Sequence, residues 1–423
     1  MTISGHDVIL LEPLRYSSEA LVIPTERHLP YYVPKTEVER RLAELQASLA
    51  RQDVAAAWID GIADLFYYAG SAQSATLLVP AQGRPRYVVR MSIERARAES
   101  PLAVEPFAGG RALFAAAAEL IGASGRLGAA FEITPASLYA KLVECFGASR
   151  VADVGPAIRR RRAVKSAWEI EQIHRAAEQA TRIFARMPTM ARQYETELEL
   201  SAAIEFELRK MGHPGPIRLR RIGQELAMIV VVAGDSALYP TNFDGPVGGE
   251  GPSPAAASGA GWKPMKDGET LMADMVTAHN GYHADDARTW FLGREIPAAV
   301  RQAHAFCTDM LAVLESHLKP GVAAGEVHRL TTEWVARQSA PSGLMGFGEN
   351  QVKFFGHGVG LELDGLPVIA AKQEFILEPG NVIAVEPKAF LPGVGAVGVE
   401  NTYVITPAGC ESLCPTPLEI SAI

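Results

Sequence analysis

The sequence predicts an α/β domain followed by an α+β domain. Its 423 residues correspond to about two or three domains at roughly 150 residues each. Helix-like and strand-like segments alternate over residues 36–158, whereas helix-like segments precede a series of strand-like runs over residues 159–423. Residues 1–35 contain four prolines and no regular pattern, so we expect an irregular N-terminal extension.

Composition excludes several functional classes. Apolar residues make up 48% and charged residues 21% of the chain, which is typical of a folded globular protein. The formal net charge of −8 argues against nucleic acid and anionic membranes as partners. Four cysteines are too few for a disulfide scaffold. The N-terminus lacks the pattern of a signal peptide and no apolar run is long enough to span a bilayer, so we expect a cytoplasmic protein.

The first domain should begin with an amphipathic helix and continue with buried strands. Val38, Leu42, Leu45 and Leu49 recur at helical spacing and define one apolar face. Three strand-like runs follow at residues 55–59, 75–79 and 86–89.

The second domain should begin near a basic cluster, Arg159–Arg162. We interpret this cluster as a solvated linker that helps to start a helix; a nucleic-acid patch is the weaker alternative, because aromatic residues are not interleaved with it. Ser166 and Glu169 form the pattern of a capping box, which predicts a long helix after them. Further helices are expected over residues 195–211 and 298–318, and a long surface loop is expected over residues 245–261.

The strongest local signal is a predicted hairpin turn at Asn280–Gly281. A two-residue turn there places Asp285 opposite Val276, which is two residues from Asp274. Asp274 and Asp285 should therefore share one face at roughly 7 Å, while Asp286 points the other way. Two carboxylates on one buried face need a proton or a cation, whereas two solvated surface acids would need neither.

Three further residues have side chains that could also bind a metal. His357 lies between glycines, Glu386 ends an apolar strand-like run, and Glu400 lies inside another such run. A packed structural histidine is the plain alternative for His357, but a buried acid is costly unless it is paired or bound to a metal. Together with the two aspartates, these residues could hold two ions. Oxygen and imidazole ligands suit Mn, Fe, Co or Zn.

These residues, in the order Asp, Asp, His, Glu, Glu, resemble the ligands of the pita-bread metallohydrolases, which include aminopeptidase P, prolidase, methionine aminopeptidase and creatinase. The eleven-residue step between the aspartates, the Asp-x-x-Arg-Thr continuation, the stretch Leu377–Gly380 and the linker Arg162–Ser166 also match. The resemblance implies a creatinase-like N-terminal domain, a pita-bread catalytic domain and a homodimer. It also implies two divalent metal ions (Mn, Co, Zn or Fe).

The same resemblance implies a role for each ligand. Asp274 and Asp285 would bind the first ion and bridge to the second, and His357 would cap one ion. Glu386 would complete that ion's ligands and would also carry the proton, while Glu400 would bridge. Such sites activate a water as the nucleophile near neutral pH.

The sequence departs from the Xaa-Pro peptidases of this family at three positions. Thr241 and Asp364 stand where two histidines are usual, and Gly398 stands where an arginine is usual. The loss of these donors could lower the rate by orders of magnitude. His283 falls on the face of Asp274 and could replace a missing donor, although an exposed histidine at the hairpin tip is the plain alternative.

We therefore predict a dimetal hydrolase that cleaves a C–N bond, with a short peptide as substrate and an Xaa-Pro aminopeptidase or dipeptidase as the nearest activity. One alternative keeps the metal but takes a small zwitterionic substrate, as in a sulfonium-propionate lyase or an osmolyte hydrolase. A non-enzymatic binding module is the other alternative, and the five intact ligand positions disfavour it.

Overall fold

The computed structural model describes residues 32–423. The predicted irregular extension therefore lies outside the described residues, except for its last few positions. The first helix begins at Lys35.

The N-terminal part is an α/β sandwich around one six-stranded sheet. Its elements are α1 (Lys35–Arg51), β1 (Ala56–Ile59), α2 (Ile62–Ala69), β2 (Ala75–Pro80), β3 (Arg86–Val89), α3 (Ile93–Glu99), β4 (Val104–Pro106), α4 (Gly110–Ile121), β5 (Leu127–Ala129), α5 (Ala136–Phe146) and β6 (Val151–Asp153). The strand order is β4-β3-β2-β1-β5-β6. Strand β1 runs antiparallel to β2 and parallel to β5.

Both faces of this sheet are covered, because successive strand residues enter two different apolar clusters. Ala57 and Ile59 pack into the cluster that contains α1, whereas Ala56 and Trp58 pack into the cluster that contains α4 and α5. The predicted apolar face of α1 is confirmed, since all four of its members are buried. The three predicted strands are likewise confirmed as β1, β2 and β3.

The C-terminal part is an α+β arrangement. Its elements are α6 (Gly155–Ala163), α7 (Ala167–Met190), α8 (Glu197–Lys210), β7 (Ile229–Ala233), β8 (Thr270–His279), β9 (Tyr282–Phe291), α9 (Ala298–His317), α10 (Ala324–Ala336), β10 (Phe354–Gly358), β11 (Gly365–Ala370), β12 (Val382–Val385), β13 (Lys388–Leu391), β14 (Gly395–Gly398), β15 (Asn401–Thr406), β16 (Gly409–Ser412) and β17 (Ser421–Ala422). The sheets have the orders β11-β10-β12-β15-β16, β17-β9-β8-β7 and β13-β14.

The helix predictions hold with one correction. Ser166 and Glu169 form the predicted capping box at the start of α7. The predicted helices of residues 195–211 and 298–318 are α8 and α9. The linker interpretation of Arg159–Arg162 is wrong, because these arginines lie within α6 and Arg162 pairs with Asp64 and Glu362.

The predicted surface loop of residues 245–261 is also only partly correct. Its tip, residues 252–257, is exposed, but Pro246–Gly249 and Gly259–Gly261 are buried. Between residues 32 and 423, no helix combines the length and the apolar character that crossing a bilayer requires.

The predicted hairpin is confirmed in type and register. Strands β8 and β9 pair from Thr270 opposite Phe291 to His279 opposite Tyr282. Asn280 and Gly281 have φ values of 50° and 80°, which is the backbone of the tight turn that Asn-Gly favours. Asp286 points away from its neighbour as predicted, and its Oδ1 accepts a hydrogen bond from the backbone N–H of Thr402.

This turn makes the first testable prediction. We expect Gly281→Ala to lower the free energy of unfolding by about 1–2 kcal/mol, because an L-residue in the left-handed region is strained. The added Cβ would also lie 3.0 Å from Nη1 of Arg218. Gly110→Ala is the matched control, since that helical position has nothing within 4 Å of the added Cβ. Urea unfolding measures both, and equal midpoints for the two variants would contradict the prediction.

Candidate metal centre

The five predicted ligands meet where two sheets of the C-terminal part come together. Asp274 lies on β8, Asp285 on β9 and His357 on β10, while Glu386 directly follows β12 and Glu400 directly precedes β15. The two sheets are joined next to the site, because the backbone N–H groups of Ala287 and Glu400 donate to each other's carbonyl oxygens at 3.1 and 3.0 Å. Residues distant in the sequence are thus held on rigid strands.

His357 is oriented as a ligand. Its Nδ1 donates to the carbonyl oxygen of Leu363 at 3.0 Å, which leaves the lone pair of Nε2 free. Nε2 lies 3.7 Å from Oδ2 of Asp285 and 3.7 Å from Oε1 of Glu386. Ligand atoms of Asp285, His357 and Glu400 all lie within 4.8 Å of one another, so one ion could contact all three.

Two carboxylate oxygens of this group lack a partner within the described part of the chain. Oδ1 of Asp285 and Oε1 of Glu400 are buried and accept no hydrogen bond from residues 32–423. A buried ionised oxygen without a partner is costly, and a divalent cation would remove that cost. The residues present therefore fit a bound metal ion.

The electrostatics of the site also favour a bound cation. Burial raises the pKa of Asp285 well above its ordinary value, and the nearby Glu400 and Asp274 raise it further. Burial also raises the pKa of Glu400 to about 8, although Lys388 opposes this shift. Carboxylates so close together need a proton or a cation between them.

A residue that the sequence interpretation missed, Lys388, reaches the centre of the site. Its Nζ donates to Oδ2 of Asp274 at 2.8 Å, to Oε2 of Glu386 at 2.8 Å and to Oε2 of Glu400 at 2.6 Å. Burial lowers the pKa of Lys388, but these three carboxylates raise it well above its ordinary value. The sequence held a signal, since Lys388 follows Glu386 by two residues and residues so spaced in an extended chain share a face.

The site opens into a cavity of about 430 Å³. Part of its lining is apolar and includes Leu226, Phe243 and Val368. Three arginines, Arg159, Arg220 and Arg221, line the same cavity. Arg220 is held by Asp64 and Glu132, so the cavity is bordered by residues of both halves of the chain.

His283 and Thr241, the two weaker candidates, are not among the residues that line this cavity. His283 shares the face of Asp285 but is displaced along the strand. Its Nδ1 lies 2.8 Å from the carbonyl oxygen of Gly360, and burial lowers its pKa to about 4. Thr241 lines a neighbouring cavity, where its hydroxyl oxygen accepts a hydrogen bond from the backbone N–H of Phe243.

Asp364 does line the cavity, but its carboxylate is already engaged. Oδ1 accepts the backbone N–H of Arg220 at 2.6 Å, and Oδ2 accepts that of Arg221 at 3.0 Å. The side chain therefore fixes the loop that presents the two arginines. This arrangement leaves Asp364 poorly suited to the role of a missing histidine.

The comparisons with known proteins agree with this architecture. Residues 171–407 match the profile of Metallopeptidase family M24, and residues 41–164 match the Creatinase/Prolidase N-terminal domain. The probable dipeptidase PepE of Mycobacterium tuberculosis (strain H37Rv) is 25% identical over 397 residues, covering 91% of this chain and 96% of that protein. The Xaa-Pro dipeptidase of Pyrococcus furiosus is 23% identical over 393 residues, covering 90% and 100%.

Solved structures show the same fold. The Xaa-Pro dipeptidase from Bacillus anthracis superposes with a TM-score of 0.75 at 20% identity, covering 91% of this chain and 100% of that one. The dipeptidase PepE from Mycobacterium ulcerans superposes with a TM-score of 0.75 at 23% identity, covering 93% and 99%. The predicted creatinase-like and pita-bread domains are confirmed. Because the family match spans more than half of the sequence, the chain belongs to metallopeptidase family M24.

Proposed function

We propose that this protein is a metallohydrolase that cleaves the C–N bond of a short peptide with a free carboxylate, in the manner of an Xaa-Pro dipeptidase. The observation that supports this proposal best is the convergence of Asp285, His357 and Glu400, with two unpaired carboxylate oxygens, on a cavity lined by arginines. The dipeptidases among its relatives support the same substrate class.

The metal would be held among the five predicted ligands, which are Asp274, Asp285, His357, Glu386 and Glu400. A divalent ion bound there supplies a Lewis acid and lowers the pKa of a coordinated water. Mn, Fe, Co and Zn all suit this mixture of oxygen and imidazole ligands. Glu386 remains the proposed proton carrier, and its Oε2 accepts a hydrogen bond from Lys388 at 2.8 Å.

The cavity suits a small substrate with one negative end. The guanidinium of Arg221 makes no ion pair within residues 32–423, and Arg159 reaches only the carbonyl oxygen of Asp364, at 3.5 Å. An arginine without a partner beside an apolar wall is a suitable site for a carboxylate next to an apolar side chain. In this proposal Asp364 positions Arg221 and does not bind the substrate.

Hydrolysis of matched peptides tests the proposal. The purified protein is treated with a chelator, reloaded with Mn, Fe, Co or Zn, and assayed on Ala-Pro, Gly-Pro and Ala-Pro amide. We expect metal-dependent release of proline and much weaker turnover of the amide, which lacks the carboxylate. Turnover of sulfonium or cyclic osmolytes without peptide turnover would overturn the proposal in favour of the zwitterion alternative.

Arg221→Ala gives a prediction about substrate binding. We expect KM for Ala-Pro to rise about tenfold or more, because a hydrogen bond to a charged group contributes about 1.5–3 kcal/mol and each 1.4 kcal/mol is a factor of ten. KM for Ala-Pro amide should change little. Arg111→Ala, at an exposed position of α4, is the control. Equal effects of Arg221→Ala on the acid and the amide would contradict the assigned role.

We also propose that the protein is a homodimer in the cytoplasm, as its sequence predicts. Light scattering on the full chain measures the oligomeric state. Fractionation of the native host tests the location. A monomer would contradict the proposed homodimer, and protein recovered outside the cytoplasm would contradict the proposed location.

A further inference from the structure

Lys388 is unusual because its positively charged ammonium lies among the predicted metal ligands. The side chain is 1% exposed, and its three N–H donors are matched by carboxylate oxygens of Asp274, Glu386 and Glu400. A lysine ammonium is a compact positive charge with three donors, so a buried lysine needs such a set of partners. Lys388 thus occupies a complete cation-binding position.

The carboxylate oxygens of the site divide into two groups. One group comprises Oδ2 of Asp274 and Oε2 of Glu386 and Glu400, and all three accept from Lys388. The other group comprises the oxygens of Asp285 and Oε1 of Glu386 and Glu400, which face His357 or lack a partner. The cluster that could hold an ion contains Asp285, His357 and Glu400. Glu386 adjoins this cluster, because its Oε1 lies 3.7 Å from Nε2 of His357, whereas the contact of Asp274 is with Lys388.

The position of Lys388 separates the possible occupancies. Its ammonium lies 2.6–2.8 Å from Oδ2 of Asp274 and from Oε2 of Glu386 and Glu400. A second ion bound to the same three oxygens would lie directly beside a buried positive charge, where like charges repel strongly. The oxygens on the side of His357 stay available to one divalent ion.

We propose that the ammonium of Lys388 permanently replaces one of the two metal ions expected from the sequence, so that this chain binds a single divalent ion through Asp285, His357, Glu386 and Glu400. The proposal rests on the proposed metal-dependent function and specifies its cofactor. The lysine contributes a fixed positive charge that no chelator removes. Asp274 then serves as the lysine's partner and does not bind the metal.

A matched pair of substitutions tests this assignment. Asp274→Asn and Asp285→Asn make the same chemical change on the same face of one hairpin. After reloading with Mn(II) and removal of free metal, elemental analysis should find one ion per chain in the wild type and in Asp274→Asn. It should find less than a tenth of that in Asp285→Asn. Equal loss of metal from both variants, or two ions in the wild type, would overturn the proposal.

Spectroscopy and removal of the lysine give independent readouts. The Mn(II)-loaded wild type should show the six-line electron paramagnetic resonance spectrum of an isolated ion, whereas the multiline spectrum of a coupled pair would overturn the proposal.

Lys388→Ala should raise the number of bound ions per chain from one to two. The number should stay at one in Lys388→Arg, which retains the positive charge. Lys388→Ala that folds and still binds one ion would count against the assignment. If the wild type is active and binds two ions, only the role proposed for Lys388 is overturned. If it neither binds metal nor hydrolyses the peptide, the proposed function itself is overturned.

Discussion

His357→Ala is expected to remove metal binding and peptide hydrolysis together. Nε2 of His357 is the only imidazole nitrogen near the carboxylates in residues 32–423, and its lone pair is free because Nδ1 donates to Leu363. Loss of a residue that merely orients a ligand costs about 10- to 100-fold in affinity or activity. Loss of the ligand itself should therefore lower both by more than about 100-fold.

The measurement pairs metal content with turnover of Ala-Pro after each protein has been reloaded in the same way. His174→Ala is the control, since that histidine lies exposed on α7 and away from the cavity. Circular dichroism shows whether the variants are folded. A folded His357→Ala protein that binds metal as tightly as the wild type would contradict the assigned ligand set.

The local geometry of the site could be predicted from sequence because short-range rules determine it. Asn280–Gly281 fixes the turn, the turn fixes the register of β8 and β9, and the register places Asp274 and Asp285 on one face. Burial of Glu386 and Glu400 could be predicted from the apolar residues around them. No short-range rule, however, predicts that these strands meet at Ala287 and Glu400; that expectation came from the resemblance to a known family.

Two candidates that lie outside the cavity lining, and one residue that the sequence interpretation missed, show where such rules stop. His283 is on the predicted face, but two residues of strand move a side chain about 6.6 Å, and this step takes it to the main chain of Gly360. Thr241 lies in an irregular segment, for which periodicity predicts no direction. Lys388 was overlooked because a lone lysine is usually solvated, and only the packed structure shows three acids around it.

A second set of buried charges links the two halves of the chain beside the cavity. Asp64 on α2 accepts from Arg162 at 2.7 Å and from Arg220 at 2.8 Å, and its side chain is 1% exposed. Glu362 also pairs with Arg162, and Glu132 also pairs with Arg220. Because Arg220 lines the cavity, this network connects the N-terminal domain to the substrate wall.

Asp64→Asn should therefore lower the free energy of unfolding by about 3–5 kcal/mol, which is typical when one partner of a buried ion pair is lost. The amide keeps the shape of the side chain but leaves two buried guanidinium groups with less negative charge around them.

Urea unfolding of the full chain measures the change in the free energy of unfolding. Glu119→Gln is the matched control, because Glu119 is 79% exposed and lies 3.6 Å from Arg86, so no measurable change is expected. If both substitutions shift the midpoint equally, Asp64 does not hold the two domains together electrostatically. If only Asp64→Asn shifts it and KM for Ala-Pro also rises, the network both stabilises the fold and positions the arginines of the cavity.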